Sequence, residues 1–180
     1  MELQVNDWIS LKTLEPLDDE ALFLETDKSR NHLRKWLPWL DGIQNVSDSR
    51  QFIEYSIQLH DQRKAMIFGI FADGQLAGTI SFNQIDWQNR IGHIGYWLSS
   101  TYTGQGIMTE AVRRLVNYGF DDLALNRMEI RCATENNKSR HIPERLGFTE
   151  EGQVREGEWL YDHFVDHAIY GMLSRDWADK

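Results

Sequence analysis

From Ile9 to Leu14 apolar and polar side chains alternate, the period of a strand with one face turned inward. Pro16, Asp18 and Asp19 then supply helix-start chemistry ahead of an amphipathic segment. A second amphipathic helix is expected from Ser47 or Asp48, as N-cap, to about Arg63. Between them Asn31 to Leu40, with Trp36, Pro38 and Trp39, reads as a covering lid. The apolar runs Ala65 to Ala72 and Leu76 to Phe82 flank Asp73-Gly74, a pair suited to a tight hairpin. A strand over Ile91 to Ser99 follows the polar turn Asp86 to Arg90. Ile107, Ala111, Leu115, Val116 and Phe120 fall at helical spacing and predict a helix over Ile107 to Phe120. Arg127 to Ala133 reads as a strand, Ser139 to Leu146 as a short helix ending at Gly147, and Phe148 to Leu160 and Phe164 to Leu173 as two further β segments. With no internal repeat and no low-complexity tract, the chain reads as one α/β domain over residues 1–180, core about 8–176, a mixed twisted sheet of six to seven strands flanked by helices.

Composition narrows this picture. Hydrophobic residues at 41% and aromatics at 12% argue for an ordered core, which 180 residues can build without disulfides. The single cysteine, Cys132, lies in an alternating stretch and has no partner, as a reducing compartment permits, and is expected to be a buried structural thiol. The amino terminus lacks a signal-peptide pattern and the longest apolar run is too short to span a bilayer, so a soluble cytoplasmic protein with no membrane partner is expected. A net charge of −9 disfavours nucleic acid as a partner and requires any anionic cofactor to be held by local donors. The six histidines show no metal-ligand spacing on a predicted helix; His163 and His167 stand four apart, but in a predicted strand, so no metal is expected.

Chemistry concentrates where the fourth predicted strand runs into the long helix. Glycine at 104 and 106 removes Cβ atoms, so backbone N–H groups can converge on an anion at the helix N-terminus, with a pyrophosphate as the natural guest. Thr109 stands where a dinucleotide fingerprint needs its third glycine, and no Gly-Lys-Ser/Thr follows, so neither a Rossmann site nor a P-loop fits.

In context the segment resembles the acetyl-CoA motif of the GNAT acetyltransferases, Arg/Gln-x-x-Gly-x-Gly/Ala. The resemblance extends through Gly95-Tyr96-Trp97-Leu98 and Thr109-Glu110-Ala111 and resumes at Asn126-Arg127, Asn136-x-x-Ser139 and Glu144-Arg145-Leu146-Gly147-Phe148. It is similar to the RimJ/RimL type, whose members acetylate ribosomal-protein N-termini. Thr101 departs from the family's Arg/Gln position.

The resemblance implies acetyl-CoA as cosubstrate, an amine acceptor such as a ribosomal-protein N-terminus, a splayed fourth and fifth strand, and a homodimer or higher homo-oligomer. It places the cofactor along Leu98, Ser99 and Ser100, on the backbone of Thr103, Gly104, Gln105, Gly106, Ile107, Met108 and Thr109, and beside Asn136 and Ser139, with the Leu98 N–H as oxyanion donor. Many relatives use a tyrosine as acid where Pro143 stands here, so Ser139 is expected either to protonate the leaving thiolate or to cap the helix. Glu158 matches the general base, Glu156 is its alternative, and Trp36, Pro38 and Trp39 resemble an acceptor wall. Two other readings stay open: acetylation of a small amine such as a polyamine, amino acid or aminoglycoside, and a GNAT-fold regulator that holds acyl-CoA without transfer.

Overall fold

In the computed structural model, which describes residues 1–177, eight strands form one sheet in the order β1-β2-β3-β4-β5-β6-β8-β7. They are β1 (Glu2–Gln4), β2 (Ile9–Thr13), β3 (Met66–Ala72), β4 (Gln75–Asp86), β5 (Ile91–Leu98), β6 (Arg127–Ala133), β7 (Thr149–Leu160) and β8 (His163–Leu173). The expected six to seven strands were one short, because β1 is a three-residue edge strand too brief to carry a period. β3 and β4 are joined as expected through Asp73 and Gly74, whose φ values of 48° and 75° give the left-handed pair that a tight hairpin turn requires.

All neighbouring pairs are antiparallel except β5 and β6, which run parallel. A parallel pair needs a long crossover, and α4 (Ile107–Asn117) with a π-helical turn at Tyr118–Asp122 supplies it. Ile107, Ala111, Val112, Leu115 and Val116 of α4 pack on Phe68, Ile80, Phe82, Met128 and Ile130 of the sheet. Each of the larger of these side chains, Val and above, contributes about 1.5–3 kcal/mol on burial.

The opposite face is covered by α1 (Asp19–Lys28), the short α2 (Arg30–Leu33) and α3 (Val46–Asp61), through a second core of Leu14, Leu22, Leu33, Leu40, Ile53, Leu76 and Trp97. α3 starts earlier than Ser47 or Asp48: Asn45 is the N-cap, and Asp48 is the N3 member of a capping box. The chain closes with α5 (Asn137–Arg145), between β6 and β7, and α6 (Ser174–Trp177).

The β5–β6 register runs from Ile91↔Arg127 to Ile94↔Ile130 and stops there. β5 continues beside β4 to Leu98↔Gly78, while β6 continues beside β8 to Ala133↔His167, so the two strands part company over their last residues. A wedge opens in the middle of the sheet, as the splayed pair requires.

At the still-paired end of this wedge Glu129, only 8% exposed, receives Arg127 at 2.9 Å and Arg131 at 2.7 Å, with His93 Nδ1 at 3.4 Å. Burial pushes the Glu129 pKa up, but the two guanidinium partners outweigh it and hold it below its ordinary 4.5. A lowered carboxylate pKa stabilises the fold above the unfolded value, and that stability drains as pH falls through the folded one. Arg127 keeps its pair with Glu151 and Arg131 is half-exposed, so Glu129→Gln is expected to cost about 1–3 kcal/mol at neutral pH, with the deficit shrinking as pH falls below the ordinary glutamate range, measured by denaturant melts across pH.

Candidate active site

Two cavities meet at the wedge. The first, about 330 Å³, is walled by Leu98, Tyr102, Thr103, Gly104, Gly106, Ile107, Met108 and Thr109 on one side and by Lys138, His141, Ile142 and Arg145 of α5 on the other. The second, about 540 Å³, is a groove on the α3 face of the sheet that reaches Glu129, Glu158 and His167. Trp36, Leu37, Tyr96, Trp97, Asn136 and Ser139 belong to both walls, so the cavities join beside the diverging ends of β5 and β6.

The first cavity ends on the N-terminus of α4, which has no side-chain cap. Gly106, its N-cap, has φ 79°, Gly104 has φ 81°, and a Cβ at either would meet no protein atom within 4 Å. The first-turn amides and the positive end of the helix dipole therefore face open space, the arrangement that receives a phosphate. Lys138 and Arg145 line the same cavity, and among the described residues neither forms an ion pair with a carboxylate, which gives an acidic chain a locally cationic mouth. Burial, then Lys138 and Lys35, push the His32 pKa below its usual value. These donors fit a pyrophosphate with its adjoining phosphate.

Not every expected cofactor residue reaches this cavity. Ser99 is fully buried, its hydroxyl taking a 3.0 Å bond from Ser29, whose Oγ also accepts from the Ser100 N–H at 2.9 Å. Ser99 and Ser100 thus tie the α1–α2 junction to the loop, and neither they nor Gln105, which is exposed and bonds the Thr101 carbonyl, form the cavity wall. Leu98 does. Because the Ser99 N–H donates to Ala77 on the β4 side, strand alternation turns the Leu98 N–H towards the wedge.

α5 carries Ser139 into the junction of the cavities. The structure corrects the capping alternative: Asn136 is the N-cap, its Oδ1 accepting from the Ser139 N–H at 3.3 Å, and Ser139 is the N3 residue. Pro143 accordingly lies inside the helix rather than in its first turn. It has no N–H for the Ser139 carbonyl four residues back, and the Tyr96 hydroxyl donates there instead at 3.0 Å. Ser139 Oγ donates back to the Tyr96 hydroxyl at 3.4 Å. Cys132 lines the groove nearby, with burial pushing its thiol up to about 11 although the neighbouring Ser139 hydroxyl acts to lower it, so it stays protonated at neutral pH.

Glu158 and Glu156 part at a bulge. Val154 pairs with His167 and Glu158 with Val165, leaving three β7 residues opposite one of β8. Glu156 sits in the bulge at φ 53°, exposed, its N–H bonded to Asp166 at 2.8 Å and its side chain outside both cavities. Glu158 lines the groove, with Oε2 3.2 Å from His167 Nε2. The sequence singled out His167 only as a possible metal ligand beside His163, because its partner Glu158 comes from across a hairpin.

Trp36, Pro38 and Trp39 do line the groove, joined by Phe52 and Tyr55 of α3. This wall is fastened from the far side: the Tyr161 hydroxyl, in the β7–β8 turn, donates to the Leu37 carbonyl, and Arg34 stacks 3.8 Å over the Tyr161 ring. Among the described residues, no group of three His, Cys, Asp or Glu side chains is placed to hold a metal ion, and no helix is long and apolar enough to cross a membrane.

Comparison with known proteins agrees with this geometry. Residues 9–149 match the model of the acetyltransferase (GNAT) domain. The chain is 37% identical over 179 residues to a Bacillus subtilis (strain 168) protein named "Putative ribosomal N-acetyltransferase YdaF", covering 98% of this chain and 97% of that one. It is 30% identical over 171 residues to the ribosomal-protein-serine acetyltransferase of Escherichia coli (strain K12), covering 95% and 96%. Among solved structures, the microcin C7 self-immunity acetyltransferase MccE, in complex with acetyl-CoA and AMP, superposes with a TM-score of 0.91 at 35% identity over 94% of each chain. A match to the GNAT domain model over most of the chain, with relatives at 30% identity or more along nearly its whole length, means that this chain belongs to the GNAT family.

Proposed function

We propose that this enzyme transfers acetyl from acetyl-CoA directly to the N-terminal amine of a polypeptide, in a ternary complex formed at the wedge between β5 and β6. The observation that carries the reading is the meeting of the two cavities at Tyr96, Asn136 and Ser139. A cofactor cavity and an acceptor groove that join at one point allow transfer without a covalent enzyme intermediate.

Bound acetyl-CoA supplies a thioester, an acetyl group already activated for attack. The amides at the mouth of α4, with Lys138 and Arg145, hold its phosphates; the Leu98 N–H polarises the thioester carbonyl. Glu158 attracts the ammonium and takes its first proton, directly or through water; the second N–H proton, released as the amide forms, replaces the one that Ser139 Oγ passes to the departing thiolate, so the serine ends as a hydroxyl. One oxyanion donor is worth about 2.7–4 kcal/mol, whereas alignment of two reactants contributes roughly 7–11 kcal/mol, so positioning dominates the rate.

The groove supports a peptide acceptor. It is open along the sheet, has an aromatic wall, and has Arg131 in its floor, half-exposed and bound to Glu129 through Nε. A peptide brings carbonyl acceptors past that guanidinium, whereas a polyamine brings a second cation. The kinship with ribosomal-protein acetyltransferases points the same way. The test is release of free CoA across N-terminal peptides, ribosomal proteins and small amines, with intact-mass detection of the acetylated product. Peptides turned over with higher kcat/KM than polyamines or aminoglycosides support the reading; the reverse order assigns the enzyme to small amines, and no release with any amine leaves an acyl-CoA-binding protein.

A further inference from the structure

We infer that Tyr96 is a positioning residue for the transfer step, acting through Ser139 by filling the backbone acceptor that Pro143 leaves bare. The inference rests on the reading of Ser139 as the proton donor. Three observations combine. Proline at position 143 removes the helix bond to the Ser139 carbonyl, in a helix whose only side-chain cap is Asn136. The Tyr96 hydroxyl, from β5 across the wedge, donates to that carbonyl at 3.0 Å and accepts from Ser139 Oγ at 3.4 Å. Both residues stand where the two cavities meet.

The physical consequence is a strut. β5 and β6 have no register beyond Ile94↔Ile130, so the start of α5 is not fixed to β5 by the sheet. The Tyr96 hydroxyl spans that opening and ties the first turn of α5 to the strand that carries Leu98. Asn136 fixes the Ser139 N–H, Tyr96 fixes its carbonyl, and the rotor that remains is the hydroxyl itself. The hydroxyl can then turn from Tyr96 to a thiolate without the backbone moving, the preorganisation that a proton donor needs. Tyr96 keeps its own proton, since burial holds its pKa far above the ordinary phenol value. It acts as a fixed donor and not as an acid that titrates.

A double-mutant cycle on kcat tests this. Tyr96→Phe is expected to lower kcat roughly tenfold, the order of one lost hydrogen bond in the transition state, with KM for acetyl-CoA nearly unchanged and no limb lost from the pH profile. In a Ser139→Ala background the same substitution is expected to add nothing. Pro143→Ala restores a helical N–H to the Ser139 carbonyl, so Tyr96→Phe/Pro143→Ala is expected to regain both kcat and the melting temperature, which keeps the test available if Tyr96→Phe alone folds poorly. Multiplicative effects of Tyr96→Phe and Ser139→Ala, or no rescue by Pro143→Ala, overturn the strut. Ser139→Ala with full turnover overturns the Ser139 reading itself, and the inference with it.

Discussion

A Gly106→Val protein will fold and will not bind coenzyme A. Gly106 is the N-cap of α4 at φ 79°, a conformation that costs an L-residue about 1–2 kcal/mol and a β-branched one more. For a chain of this size that strain lowers the melting temperature by about 2–8 °C, which leaves the fold intact. Binding suffers differently. The Cβ of the new residue meets no protein atom within 4 Å, and Gly106 lines the first cavity, so the added methyl groups are expected to take up space at the helix mouth. A phosphate that needs those amides at hydrogen-bond distance then meets methyl groups instead. A loss of at least ~100-fold in CoA affinity by calorimetry is the expected result, since several charge-assisted bonds at about 1.5–3 kcal/mol are disturbed together. Gly74→Val is the control: it carries the same kind of strain at φ 75° in the β3–β4 turn, outside both cavities. If Gly74→Val weakens CoA as much as Gly106→Val, strain alone explains the loss and the helix mouth is not the phosphate site.

The same local rules explain what the sequence revealed and what it hid. β6 was legible to the residue over Arg127–Ala133, and the Asp73-Gly74 hairpin and the α4 stripe were legible because period and turn chemistry are local. The N-termini of α3 and α5 were each misplaced by about one turn, and for one reason. A capped helix start puts polar residues at both N-cap and N3, so Asp48 and Ser139 each look like caps while Asn45 and Asn136 fill that role. Pro143 deepened the error, because a proline inside a helix is tolerable only where another group takes the orphaned carbonyl. That group, Tyr96, lies 43 residues from Ser139 in the chain and on another strand.

Within the site, glycines 104 and 106 were visible as residue types suited to an anion, whereas Glu158 was singled out through the family resemblance. Ser99 looked like a ligand by position, yet its burial under Ser29 depends on how the α1–α2 junction packs. Lys138 and Arg145 had a usable local signal that went unread: three and seven residues on from Lys138, His141 and Arg145 fall on one face of α5. The Glu158–His167 contact had none, since it depends on a bulge that shifts the register of the β7–β8 hairpin. The wedge itself was inferred from family resemblance. Its cause is that β5 and β6 each remain committed to an antiparallel partner, β4 and β8, as they separate.

Glu158→Gln will slow transfer by about 10²–10⁴ in kcat/KM at pH 7, the range that a positioned base contributes. The substitution preserves shape and removes the charge that both attracts the ammonium and receives its proton. His167, 3.2 Å away, can still hold the amide in place, so the backbone bulge and the groove should survive and the melting temperature should change little. The pH dependence identifies the loss as one of proton acceptance. Without a base the enzyme depends on the fraction of acceptor already neutral, which rises tenfold per pH unit up to the α-amine pKa near ~8 and then levels. The variant's rate should therefore climb with pH and close part of the gap to the parent, which draws on the protonated amine at lower pH. Glu156→Gln should leave rate and profile unchanged, because that side chain lies outside both cavities at the crest of the bulge. A parent-like profile for Glu158→Gln together with a collapsed rate for Glu156→Gln would move the base to the neighbour, and would require the bulge between Val154 and Glu158 to rearrange when acceptor binds.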